Sequence, residues 1–126
     1  LNTYGPADSW KYAANFNDLV SQCDWVKPMF YSGTYPGLPK TPEQVKIEMV
    51  KAVKSSNEKP VIAGISGIGS ASTLEKIRES FYSALSAGSK GFILSWDYAL
   101  IPLEHIRYFG KLCEEIFYEK GKLAGM

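Results

Sequence analysis

Three short apolar runs, at 25–31, 61–68 and 91–98, alternate with longer stretches in which apolar residues recur at helical spacing. Continuous apolar runs bounded by Gly, Pro and Asp read as short strands buried on both faces. The third, Gly91-Phe92-Ile93-Leu94-Ser95-Trp96-Asp97-Tyr98, ends abruptly in a tryptophan and a carboxylate. Between the runs, the spacing predicts helices. One spans 8–22, with Tyr12, Phe16, Leu19 and Val20 on its apolar side. A second runs to about Ser56 with Val45, Met49, Ala52 and Val53 inward. A third carries Leu74, Ile77, Phe81 and Leu85, and a fourth Leu103, Ile106, Phe109, Cys113, Ile116 and Phe117.

The punctuation agrees with this pattern. Thr41-Pro42-Glu43-Gln44 has a cap, a proline at the first helical position and a glutamine able to close a capping box. Ser72-Thr73-Leu74-Glu75 reads as a second box, and Gly88 stands where a left-handed turn ends a helix. Tyr4-Gly5-Pro6 is turn chemistry. Pro28 lies inside the first run, a position that normally confines a strand to a sheet edge. Pro102 opens the last helix, which is expected to stop near Gly121.

The predicted order is therefore a helix at 8–22 followed by three βα units at 24–56, 60–88 and 91–121. Strands starting near residues 25, 61 and 92 have the spacing of βα repeats, so the fold class is α/β with a parallel sheet covered by helices. No linker or charge block divides residues 1–126. Three buried parallel strands would leave two apolar edges unless further strands continue the sheet. The expected architecture is thus the last three βα units of a (β/α)8 TIM barrel. The chain opens on Leu1 with no signal-peptide pattern after it, which raises the expectation that it was cut from something longer.

Charge adds little. Fourteen basic against thirteen acidic residues give no footprint for nucleic acid or an anionic membrane, and the apolar runs are too short to span a bilayer. Cys23 and Cys113 are far apart in sequence and read as two reduced, mostly buried thiols, with one disulfide as the alternative. His105 is the sole histidine and no metal-ligand spacing occurs, so neither metal nor cofactor is expected.

Chemistry is expected at the C-terminal ends of the strands, where a barrel builds its active site. There lie Tyr31, Ser32 and Tyr35, then Ser66, then Ser95, Trp96, Asp97 and Tyr98. Aromatic faces stack on the apolar faces of sugar rings while a nearby carboxylate bonds the hydroxyls, so this rim suggests a saccharide. Tyr31 and Trp96 could equally plug the core. Asp97 is the sole carboxylate at a strand's C-terminal end; it could bond a ligand, act as an acid or base, or cap the following loop. Glycoside hydrolysis usually needs two carboxylates. Glu104 starts a helix and Asp24 falls at the wrong end of its strand, so neither supplies the second.

The stretch Asp24-Trp25-Val26-Lys27-Pro28-Met29-Phe30-Tyr31-Ser32-Gly33 resembles the sixth strand of chitinase-like (family 18) and related glycosidase barrels, where a Met-x-Tyr pair ends the strand near the sugar. The stretch from Gly91 to Trp96 is similar to their eighth strand, which ends in a tryptophan flooring the substrate site. The resemblance maps onto Met29, Tyr31 and Trp96, and implies a saccharide ligand. The family's acidic fourth-strand motif, Asp-x-x-Asp-x-Asp-x-Glu, is absent from this chain. The resemblance thus implies a carbohydrate-active protein, glycoside hydrolase-like within a longer chain, whose catalytic acid lies elsewhere. Its substrate-binding residues would be Tyr31, Tyr35, Trp96 and Asp97.

Two other classes compete. The Gly/Ser loop at 64–72 joins a strand to a helix N-terminus, where backbone N–H groups can cradle a phosphate. Lys27, if desolvated, could form a Schiff base, and together these suggest an aldolase-like barrel enzyme. Alternatively, a small non-enzymatic α/β module would bury its apolar edges by self-association, so partners are either a second copy or the remainder of a barrel.

Overall fold

The structure is a computed structural model, and it describes residues 2–3, 16–28, 41–68, 72–95 and 97–124. The chain is mixed α/β. In order come β1 (Asn2–Thr3), α1 (Phe16–Ser21), β2 (Lys27–Pro28), α2 (Pro42–Ser55), β3 (Ile62–Ser66), α3 (Leu74–Ser86), β4 (Gly91–Ser95) and α4 (Leu103–Ala124).

Among the described residues all strand pairing is parallel. β1 pairs with β2, Asn2 opposite Lys27, and β3 pairs with β4 from Ile62 opposite Gly91 to Ser66 opposite Ser95. Among the described residues, one bridge, Val26 to Val61, joins the two ladders. Val26 donates its N–H to Pro60 O at 3.2 Å and accepts from Ile62 N at 2.9 Å. The next donor on that side of β2 would come from residue 28, a proline with no N–H, so the ladder stops after one bridge. Among the described residues β2 therefore pairs with β1 alone, and its link toward β3 is the one bridge just before it, as a proline inside the run leads one to expect. Asn2–Thr3 form a strand that the sequence reading did not include, while Tyr4-Gly5-Pro6 lie outside the described residues.

Side chains divide by alternation. Phe92 stacks on Phe81 of α3, ring centroids 3.8 Å apart, so Phe92 and Leu94 face the helices. The register carries Ala63 and Ile65 to the same face, and these join Val45, Met49 and Ala52 of α2 and Ile77, Phe81 and Ala84 of α3 in one core. The second face carries Lys27, Ile62, Gly64, Ser66, Gly91 and Ile93. A Cβ added to Gly64 would lie 3.4 Å from Lys27 Cε, and one added to Gly91 would lie 3.1 Å from Ile62 Cδ1.

Helix α2 starts as its sequence demands. Gln44 N donates to Thr41 Oγ1 at 3.1 Å, and Thr41 N donates to Gln44 Oε1 at 3.0 Å. In α3 the cap falls one residue later than expected. Thr73 accepts from Lys76 N at 3.2 Å, so Ser72-x-x-Glu75 forms no capping box. Ser72 is buried instead and donates to Ile68 O. Gly88, just past α3, has a φ of 106° that a Cβ would disfavour.

Helix α4 runs through Gly121 to Ala124, past the expected stop. Leu112 and Ile116 are its buried residues, while Leu103 and Phe117, expected inward, are more than half or half exposed at 58% and 50%. The expected helix at 8–22 is described from Phe16 onward; its earlier residues lie outside the described ones.

Candidate functional site

The parallel register puts the C-terminal ends of β3 and β4 side by side, Ser66 beside Ser95. Of the four substrate-binding residues expected from sequence, Asp97 alone falls here among the described residues. Tyr31, Tyr35 and Trp96 lie outside them, as do Met29 and Ser32.

Asp97 is exposed and accepts from Ala99 N at 3.0 Å, an Asx-type turn that opens the loop to α4. Capping the following loop is one of the three roles the sequence leaves open for it. One carboxylate can accept several hydrogen bonds, so the turn leaves Asp97 capacity for a ligand hydroxyl. Tyr98 is 59% exposed, yet its hydroxyl donates to Leu94 O at 2.7 Å. An exposed aromatic ring is thus fastened to the strand it follows. Glu104 and Asp24 are both exposed, and among the described residues no group of His, Cys, Asp and Glu could hold a metal ion.

The loop after β3 is closed on itself. Ser72 Oγ donates to Ile68 O at 2.7 Å and lies 3.2 Å from Ser66 Oγ, which contacts the same carbonyl at 3.3 Å. Both hydroxyls are therefore occupied within the loop. Gly67 answers a packing need: a Cβ there would lie 3.0 Å from Ile101 and 3.1 Å from Leu94. Residues 69–71 of the Gly/Ser stretch lie outside the described ones.

His105, in the first turn of α4, was considered in the sequence only as a metal ligand. Its Nδ1 lies 2.9 Å from Gly67 O and, as a donor, ties the β3 loop to the helix that follows β4. Nothing in sequence links positions so far apart; its placement three residues after Pro102, where a helix begins, is the sole local signal.

Lys27 is 5% exposed, and its stem lies against Gly64 on the second face of the sheet. It has an interaction partner within the chain. Burial pushes its pKa below the ordinary lysine value. Cys23 and Cys113 are free and half-buried, and burial raises the Cys113 thiol, making it a poor nucleophile at neutral pH.

At the other end of the strands lies an open cleft of about 680 Å³, lined by Val53, Lys54, Ser56, Lys59, Gly88 and Lys90 among others. The C-terminal ends of α2 and α3 meet there. Lysines suit this position, since cations offset the negative end of a helix dipole. Lys59 donates to Val20 O at 2.5 Å, near the C-terminal end of α1.

Set against protein families, characterised proteins and solved structures, the chain matches none.

Proposed function

We propose that the chain is the closing sector of a (β/α)8 barrel and binds a saccharide at the C-terminal ends of its strands. Two features support the barrel. The strands follow one another in chain order, β1-β2 then β3-β4 with a bridge between, without the order reversal of doubly wound sheets. The helices also pack in chain order, α2 on α3 and α3 on α4.

The saccharide reading rests on one observation: Tyr98, an exposed ring anchored to Leu94 O, stands beside an exposed carboxylate, Asp97, at the end of β4. A ring whose orientation is already held costs less entropy to stack on a sugar. The carboxylate beside it offers acceptors to the sugar's hydroxyls. Trp96, between this pair and β4, is the residue that the glycosidase resemblance implicates. The acidic motif such enzymes use is absent from the chain, so binding is proposed here and hydrolysis would need a longer protein.

Calorimetric titration with soluble chito-, cello- and malto-oligosaccharides tests this. Tyr98→Ala and Trp96→Ala should each weaken binding about tenfold, equivalent to roughly 1.4 kcal/mol. No binding across the series would overturn the proposal. The competing reading, a module that self-associates through its apolar sheet edges, draws on β4, which among the described residues pairs with β3 alone.

A further inference from the structure

Glycine inside a helix is destabilising relative to alanine, and Gly110 sits within α4 without a reason in its own chain. It is exposed, its φ is not positive, and a Cβ added there would meet nothing within 4 Å. Leu103, 58% exposed, stands seven positions before it, and Phe117, 50% exposed, seven positions after it. At about 3.6 residues per turn a step of seven returns to the same side, so the three residues form one exposed stripe. Ile106 and Cys113, both half-buried, border the stripe along one flank. Positions 103, 106, 110, 113 and 117 thus keep the alternating three-and-four spacing of a helix–helix seam.

The other flank carries opposite charges. Arg107 and Glu114 are exposed there, and among the described residues neither makes an ion pair within the chain. They are seven positions apart, about 10 Å along the axis at about 1.5 Å per residue, too far to pair with each other. A second α4 running antiparallel about a two-fold axis at Gly110 brings each its complement. Positions equally far before and after Gly110 then lie level, so Leu103 meets the partner's Phe117. The two glycines face each other where the backbones approach most closely. Under this symmetry like flanks face each other, which sets Arg107 beside the partner's Glu114 and Ile106 beside the partner's Cys113. Each contact occurs twice.

We propose that α4 is the interface of a homodimer, in which two copies of this chain pack antiparallel through Leu103, Gly110 and Phe117. The occupant is a second copy because the surface complements itself: the apolar residues are spaced symmetrically about Gly110, and the charges on one flank are opposite in sign on either side of it. The glycine then has its reason, since a side chain at the two-fold axis would hold the helices apart. The contact uses the helix surface and not the edge of β4, and it stands independently of saccharide binding. One helix pair makes a small interface, so the dimer is weak, with a dissociation constant on the order of 10 μM.

The test is sedimentation velocity over a concentration series that brackets this value. The wild type should pass from monomer to dimer. Arg107→Glu and Glu114→Arg, both at exposed positions, should each weaken association about tenfold, because like charges then face each other across the axis. The double variant Arg107→Glu/Glu114→Arg should restore it, which a general apolar contact would not do. Gly110→Cys, whose Cβ enters open space, should form a dimer linked through position 110 under mild oxidation, as peptide mapping would show. Monomers at every concentration would overturn the proposal and leave the seam to a different helix. Association untouched by the charge reversals, or no link through position 110, would overturn it as well.

Discussion

The two faces of the same sheet are built to different rules. On the helix side, Ala63, Ile65, Phe92 and Leu94 meet α3 through apolar contact, with Phe92 stacked on a fully buried Phe81. On the other, Lys27, Gly64, Ser66 and Gly91 combine a charge, a hydroxyl and two missing side chains. Alternation along β3 and β4 gives neighbouring residues these opposite tasks. The helix side holds the fold together by burying apolar area. The second face instead sets a buried lysine beside a glycine in mid-strand.

The contrast can be broken by substitution, starting with the largest effect. Phe81→Ala removes the ring that contacts Phe92, Tyr82 and Phe109, and should cost about 3–5 kcal/mol, seen as a large fall in the urea midpoint. Gly64→Ala on the second face should cost less, about 1–3 kcal/mol, because its Cβ meets the Pro28 carbonyl and the Lys27 stem. Thr73→Ala touches neither face and should cost about 1 kcal/mol through loss of the α3 cap.

The smallest effect is one of pH. The folded-state pKa of Lys27 lies below the ordinary 10.5, so between those values the unfolded chain binds more protons than the folded one. Stability from this group therefore rises with pH across that window and is flat well below it. Denaturation midpoints measured against pH should show the rise in the wild type and lose that share of it in Lys27→Arg. An identical slope in the two proteins would show that Lys27 does not titrate there.

Much of the scaffold was legible because its signals are local. The Thr41–Gln44 box, the 3.6-residue periodicity of α2 and α3, and the runs that became β3 and β4 need only neighbouring residues. The errors lie where a distant partner decides. Ser72 and Thr73 can each cap a helix; Ser72 is engaged by Ile68 and Ser66, which leaves the cap to Thr73. β1 is two residues long and shows no alternation to read. Gly121 did not end α4, which also runs through Gly110; each glycine inside a helix costs only about 1 kcal/mol. At the candidate site, the position of Asp97 after β4 was legible, and so was the presence of a lysine on the first strand. The approach of Lys27 to Gly64 and the tie from His105 to Gly67 depend on strand register and loop packing, which no local pattern encodes.

The most direct test of where function lies is an amide chemical-shift titration of the isotopically labelled protein with the same oligosaccharide series. The expected result is a set of shifts at residues 97–100 and 66–68, at the C-terminal ends of β4 and β3. Shifts confined to residues 53–60 and 88–90 around the opposite cleft, or none at any saturating saccharide, would contradict a binding site at the strand C-terminal ends.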